Sequence, residues 1–296
     1  MSSKVRWQHY LTGYGLLGLL RLSSWLPFEF SLKLGRALGW LIYYLVSSRR
    51  RICQTNVALC FPELNAAQQQ ALVKNSFKVQ GQALIETAHA WYKPVDYWLT
   101  RVDTKGFELL AQAMQQQQGI LLTCAHFGSL DLYGAIMANF CQFDLVQRDL
   151  NNPIVNARMQ QARRRYGQPI QRRDSKAMIR ALRAKRILFY APDQDFGRKN
   201  SVFVDFFNIP TATLTATTRL ASLGRAKVLF GFPHQTSWCY RMQVEDPQQI
   251  PSDNPEADAL LYNEWLEAKI RQVPEQYLWQ HRRFKTRPSQ DEPRLY

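Results

Sequence analysis

Acidic residues are scarce in this sequence of 296 residues: 23 Asp and Glu stand against 38 Lys and Arg, a formal charge of +15. So basic a chain favours an anionic partner, whether nucleic acid, an acidic lipid surface or an acidic protein, and composition does not choose among them. Also missing is any CxxC pair. Cys53, Cys60, Cys124, Cys141 and Cys239 are odd in number and scattered, which points away from a disulfide framework or a zinc cage and towards reduced, cytosol-facing thiols. No small-residue cleavage site follows a compact apolar segment, so no removable signal peptide is expected. Internal repeats are absent, and the short "QQQQG" at 115–119 reads as a helix end and turn. Against these absences, 46% hydrophobic residues supply ample core and exclude disorder as the default state.

An uninterrupted apolar run of about 20 residues, the length of a membrane span, is lacking too. Residues 10–48 are strongly apolar, but Arg21, Glu29, Lys33 and Arg36 interrupt them, and a charge at the bilayer centre costs roughly 2.5–3.5 kcal/mol on insertion scales. Leu34, Leu38, Leu41 and Leu45 recur at helical spacing while Lys33 and Arg36 fall elsewhere on the wheel. That pattern predicts an interfacial helix or a short anchor over 1–50. Arg49, Arg50 and Arg51, with Trp40, Tyr43 and Tyr44, make a basic and aromatic collar suited to a cytoplasmic membrane face.

Beyond residue 50 the patterning changes. Asn65–Ala90 reads as helical, with Leu72, Phe77, Leu84 and Ile85 inward. Strand-like runs cover Ile120–Ala125, Phe143–Gln147, Ile187–Ala191, Val228–Phe232 and Trp238–Val244. Helical patterns cover Ser129–Asn139, Pro153–Tyr166, Ser175–Ala184, Thr211–Leu223 and Glu256–Gln272. This alternation predicts an α/β domain over 51–296, a layered and largely parallel sheet with flanking helices. Ligands of such sheets collect at the carboxyl ends of strands, where His126 falls.

In "HFGSLD", residues 126–131, Ser129 is placed to cap the following helix, with Asp131 in its first turn. A strand-to-helix turn can fold that carboxylate back onto the imidazole, fixing its tautomer and leaving the other ring nitrogen to take a proton from a bound hydroxyl. The stretch has no G-x-S-x-G elbow for a nucleophilic serine. None of the other four histidines supplies a zinc partner at helical spacing.

"HFGSLD", "APDQDFG" at 191–197, "VFVDFFNIPTAT" at 202–213 and "PEQYLWQHRRFKTRP" at 274–288, together with the amino-terminal apolar segment, resemble the lipid A late acyltransferases. These are the lauroyl/myristoyl-type members of the lysophospholipid acyltransferase superfamily, and the resemblance runs over nearly the whole chain. It implies a Gram-negative inner-membrane enzyme, active on the cytoplasmic face, that moves a fatty acyl chain from acyl carrier protein to a hydroxyl of an anionic lipid A precursor in lipopolysaccharide biosynthesis. No metal and no cofactor beyond the acyl-carrier co-substrate are implied. By the same resemblance His126 is the general base and Asp131, where many relatives carry Glu, its orienting carboxylate. The hydroxyl then attacks the thioester directly, and Gly128 or a nearby arginine is the candidate oxyanion donor.

Among Arg158, Arg163, Arg164, Arg165, Arg172 and Arg173, the resemblance selects Arg164 and Arg172 for phosphate or oxyanion contacts, a task that suits guanidinium forks. Asp193, Gln194 and Asp195 form a candidate site loop. Its two aspartates resemble a metal pair, but a turn after a strand accounts for them. Phe206, Phe207 and Pro210 are read as core. His281, Arg282, Arg283, Lys285 and Arg287, beside Trp279 and Phe284, form a basic patch fitting carrier protein or anionic lipid. Three rival readings remain at this level: an acyltransferase acting on a lysophospholipid, ornithine lipid or glycolipid, a nucleic-acid-binding protein, and a membrane-bound scaffold that has lost activity. The second would need a recognisable binding module, and none is present.

Overall fold

A computed structural model describes residues 7–103, 107–236, 239–289 and 291–296. Four helices come first: α1 (Trp7–Trp25), α2 (Phe28–Leu45), α3 (Ser47–Cys60) and α4 (Ala66–Tyr92). Asn65 starts α4 with a reciprocal capping box to Gln68, which satisfies two donors that the first turn would leave open. There follow β1 (Val102–Asp103), α5 (Glu108–Gln115), β2 (Gly119–Thr123), α6 (Leu130–Met137), β3 (Phe143–Gln147), α7 (Pro153–Arg163), β4 (Gly167–Gln171), α8 (Ser175–Arg183) and β5 (Ile187–Tyr190). The chain continues through β6 (Ser201–Phe206), β7 (Ile209–Leu214), α9 (Ala216–Gly224), β8 (Ala226–Thr236), β9 (Cys239–Glu245) and α10 (Pro255–Gln272).

Seven strands form a sheet in the order β1-β9-β8-β2-β5-β3-β4. All neighbours are parallel except β8 and β9, so the sheet is mixed. Alternation sorts its side chains: Leu121, Leu188, Val228 and Phe230 enter one core layer, and Ile120, Leu122, Ile187, Phe189 and Leu229 enter the other. Burying each of these stabilises by roughly 1.5–3 kcal/mol relative to exposure. Helices cover both faces, as a doubly buried sheet requires.

The amino-terminal helices pack onto this body. A Cβ on Gly39 would stand 2.1 Å from Phe77 O, and one on Gly81 would stand 2.2 Å from Gly35 O, so α2 and α4 cross with backbones in contact. No helix among the described residues is long and apolar enough to cross a membrane, and the expected anchor does not take the form of a span. Instead α2 leaves Leu34, Leu38, Trp40, Leu41 and Leu45 exposed, and α1 leaves Trp7, Leu11, Leu19 and Trp25 exposed.

Three expectations need correcting. Thr211–Leu223 is not one helix: its first residues are strand β7, paired antiparallel with β6 across the Phe207-Asn208 turn, and α9 starts only at Ala216. Leu84 points outward and is 48% exposed, whereas Leu72, Phe77 and Ile85 are buried. Edge strand β4, which carries Pro169, lies just after the helix expected to end at Tyr166; an edge strand tolerates the missing donor. The strand expected from Trp238 runs from Cys239, Trp238 itself lying outside the described residues.

Candidate active site

Parallel pairing of β2 with β5 sets Thr123 against Tyr190. The chain three residues beyond each partner therefore arrives at the same place, and these residues are His126 and Asp193. The His126 backbone N–H donates to Asp193 Oδ2 at 3.0 Å, and Nδ1 lies 2.6 Å from Oδ1. Asp193 is 2% exposed against 27% for the His126 side chain, so the carboxylate is the buried support and the ring is the accessible member. Burial alone would depress the His126 pKa, but the Asp193 charge and hydrogen bond outweigh it and raise the imidazole above its ordinary value. Burial would likewise raise Asp193, yet His126 holds it below the usual carboxylate range. With Nδ1–H donating to Asp193, Nε2 presents a lone pair, 3.4 Å from Gln194 Nε2.

The pairing expected between His126 and Asp131 is not the one formed. Ser129 caps α6 as predicted, accepting from the Leu132 N–H, and Asp131 is in the first turn. Its carboxylate, however, turns to α7. Oδ1 accepts from Arg163 Nε (2.9 Å), Trp91 Nε1 (3.1 Å) and Tyr166 OH (3.1 Å), and Oδ2 accepts from Arg163 Nη2 (2.8 Å). Although burial pulls the other way, Arg163 keeps the Asp131 pKa below the ordinary value. Arg163 is thus the arginine of the run that reaches the site, and the helical wheel carried the signal: it lies four residues after buried Met159 on the inward stripe of α7.

The other candidates separate. Gly128 has φ +53°, a left-handed conformation that glycine adopts without strain. Its N–H donates to Gln276 O at 3.0 Å, so it is committed to the fold and does not stand free for an oxyanion. Arg164 is exposed and lines a cleft with Asp144, Gln168, Lys185 and Arg186 at the amino ends of the strands, the opposite end of the sheet from His126. Arg172 follows the carboxyl end of β4, on the His126 side, with its guanidinium 5.6 Å from the Phe196 ring centroid. Partial burial and the neighbouring Arg148 and Arg173 depress its pKa.

Asp195 makes no hydrogen bond to His126 among the contacts described. Its Oδ2 accepts from the Thr286 N–H at 2.6 Å, its Oδ1 accepts from the Thr286 hydroxyl at 2.8 Å and the Gly197 N–H at 2.8 Å, and its own N–H donates to His281 Nε2. The two aspartates of the loop therefore have separate partners. His281 is held neutral, its pKa pushed down to about 4 chiefly by burial. The carboxyl-terminal patch is only partly a surface: Arg283, Trp279 and Phe284 are buried, with Arg283 donating to Ala212 O and Thr213 Oγ1. Phe206 and Phe207 belong to the core, as expected, but Pro210, read with them as core, is exposed at the start of β7.

Among the described residues, no side chain beside His126 is set up as a nucleophile. The Ser129 hydroxyl is occupied with Leu132 N–H and Thr87 Oγ1, and burial pushes the Cys124 thiol far above its ordinary pKa, which withholds the reactive thiolate. What remains is a carboxylate-supported imidazole at the carboxyl end of the central strand, a base that can serve an incoming hydroxyl.

Residues 1–286 match the family described as bacterial lipid A biosynthesis acyltransferase. The chain is 34% identical over 287 residues to the lipid A biosynthesis lauroyltransferase of Escherichia coli (strain K12), covering 95% of this chain and 93% of that one. It is 32% identical over 286 residues to the palmitoleoyltransferase of the same organism, with the same coverage. Against the myristoyltransferase of that organism it is 32% identical over 271 residues, 88% of this chain and 82% of that one. Matched along nearly its whole length, the chain belongs to the bacterial lipid A biosynthesis acyltransferase family and is an acyltransferase.

Proposed function

We propose that this enzyme moves a fatty acyl chain from acyl carrier protein to a hydroxyl of a lipid A precursor, with His126 as general base and Asp193 as the carboxylate that orients it. The observation that carries the reading is the 2.6 Å contact between His126 Nδ1 and buried Asp193, which leaves Nε2 as the accessible acceptor. The acceptor hydroxyl gives its proton to Nε2 as its oxygen attacks the thioester carbonyl. Collapse of the tetrahedral intermediate expels the carrier thiolate, which recovers the proton from the imidazolium, leaving ester and free thiol. No residue is acylated on this route, in keeping with the engaged Ser129 and the deeply buried Cys124. Arg148, Arg172 and Arg173 cluster at the His126 end of the sheet and complement an acidic carrier protein.

Purified enzyme given labelled acyl carrier protein should yield a precursor heavier by one acyl chain in mass spectrometry. Acylation of a lysophospholipid, with the precursor left untouched, would reassign the acceptor.

The same reading places the enzyme on the cytoplasmic face of the inner membrane, held by the exposed apolar sides of α1 and α2 with Arg49 and Arg51 at the headgroups. Replacing Leu34, Leu38 and Leu41 together with serine should weaken binding to vesicles containing anionic lipid at least tenfold, since each leucine buried in lipid is worth roughly 1.5–3 kcal/mol. Undiminished co-sedimentation with such vesicles would move the attachment elsewhere.

A further inference from the structure

The proposed transfer builds negative charge on the thioester oxygen, and the nearest donors are engaged elsewhere. Gly128 N–H is bound to Gln276 O, and all three nitrogens of the Arg163 guanidinium are taken, Nε and Nη2 by Asp131 and Nη1 by Gln147 Oε1 at 3.2 Å. Arg172 is exposed just past the edge strand β4. A water-facing cation stabilises a developing oxyanion far less than a fixed donor in a site shielded from water.

The loop over 193–195 holds a second imidazole besides His126. A backbone N–H can only donate, so the 3.1 Å bond from Asp195 N–H to His281 Nε2 makes that nitrogen the acceptor and leaves the ring proton on Nδ1. The carboxylate of Asp195 is itself gripped by Thr286 and Gly197, which fixes the aim of its N–H. The backbone of His281 is pinned too: its carbonyl accepts from Asn56 Nδ2, its N–H donates to Leu278 O, and Leu278 N–H donates to the His126 carbonyl. Both rings are therefore tied to residues two apart in one loop, about 7 Å of extended chain. They are close enough for the charges of Asp193 and His126 to act on His281.

The loop sets the two rings in opposite roles. Asp193 holds the His126 proton on Nδ1 and leaves a lone pair on Nε2, whereas Asp195 leaves His281 with a lone pair engaged and a proton free to donate. Burial, with His126 and Arg283, keeps the His281 ring neutral with a pKa of about 4, against the raising charges of Asp193 and Asp195. Among the described residues nothing accepts from its Nδ1–H, and the ring is half-buried rather than sealed in the interior.

We infer that His281 Nδ1–H is the donor that binds the thioester oxygen and receives the oxyanion, so that one loop presents one imidazole as base and another as hydrogen-bond donor. The inference rests on the proposed acyl transfer and deepens it by naming the group that meets the developing charge. As the acceptor hydroxyl gives its proton to His126 Nε2 and its oxygen bonds to the carbonyl carbon, the carbonyl π pair moves onto oxygen and is held by Nδ1–H. When that pair returns, the C–S bond breaks and the departing thiolate takes the proton from His126. His281 keeps its own proton throughout, as a neutral imidazole donor does.

Two substitutions divide the roles of the ring. Asparagine places an amide donor where Nδ1 stood and gives up the acceptor, and glutamine keeps an acceptor where Nε2 stood and gives up the Nδ1 donor. His281→Gln should lower kcat about 10²–10³-fold, with the thermal midpoint, KM for acyl carrier protein and the pH midpoint of the rate all as in the parent. His281→Asn should keep most of the parent kcat although its thermal midpoint falls. Near-parent kcat in His281→Gln overturns the inference and leaves His281 a brace for the loop. Independently of transfer, a long-chain alkyl phosphonate monoester, whose tetrahedral anionic oxygen stands in for the intermediate, should shift the His281 Nδ1–H proton resonance of the parent enzyme downfield. Saturating phosphonate that leaves this resonance in place overturns the donor even if the parent acylates the precursor normally. A resonance that responds in an enzyme transferring nothing to the precursor would instead overturn the proposed reaction and leave the donor standing.

Discussion

Replacing His126 with glutamine should lower acyl transfer by about 10²–10⁴-fold, the usual worth of a positioned general base, with little loss of fold. Glutamine keeps an N–H donor for the buried Asp193 carboxylate, whereas alanine would strand it. The pH dependence gives the sharper test. A base must be neutral to accept a proton, and Asp193 raises the His126 pKa against the pull of burial, so the rate should climb with pH through a midpoint above 6.5 and then level off. Asp193→Asn deletes the raising charge and leaves burial and Arg163, both of which lower the pKa. The midpoint should then move to lower pH, and the plateau should fall because the imidazole is a weaker base and its tautomer is no longer held. Proton NMR identifies the partner directly: the Nδ1–H resonance should move in Asp193→Asn and keep its place in Asp131→Asn. The reverse pattern would restore Asp131 as the orienting carboxylate.

Arg163→Met is expected to be the most damaging single change to stability in this region. It leaves Asp131, whose side chain is 10% exposed, with only the Trp91 and Tyr166 donors, and breaking a buried pair by removing one partner costs about 3–5 kcal/mol. For a chain of this size that corresponds to a fall in thermal midpoint on the order of 10 °C. The loss should also depend on pH with a definite sign. In the parent, Asp131 has a depressed pKa, so its contribution is complete above the unfolded value near 3.9 and disappears as pH falls through the folded value. Without Arg163, burial raises the carboxyl, which takes up a proton as the pH falls, so the deficit should shrink towards pH 4–5. Adding Asp131→Leu should recover part of the loss. Equal midpoints for parent and Arg163→Met would show that the ion pair carries no weight.

Much of the fold was legible because buried parallel strands are short apolar runs with clear ends. Phe143–Gln147 is found as predicted, and Ile187–Tyr190 lies one residue inside its predicted range. The hairpin over 201–214 was not, since Thr211, Ala212 and Thr213 fit a helical spacing and only the left-handed pair Phe207 and Asn208 marks the turn. The site was half legible. His126 announces itself at the end of an apolar run, but its partner lies 67 residues away and is brought there by the register of β2 against β5. Nothing in local spacing encodes that register. Asp131, close in sequence, was the natural choice, and what diverted it was an arginine on a neighbouring helix. Arg164 shows the same limit: Arg163, the last residue of α7, turns to Asp131, while Arg164, the residue capping the helix, lines the cleft at the other end of the sheet.

The stretch after α10 closes over the turn that carries His126. Buried Asn56 Nδ2 donates to the carbonyls of Trp279 and His281 at 2.7 Å each, and residues 276–278 supply the backbone partners of His126 and Gly128. In synthesis, α1 and α2 leave the ribosome well before the strap that completes the turn around His126. A nascent chain therefore owns the exposed apolar sides of α1 and α2 long before the turn around His126 is complete, so on the proposed function docking can precede chemistry.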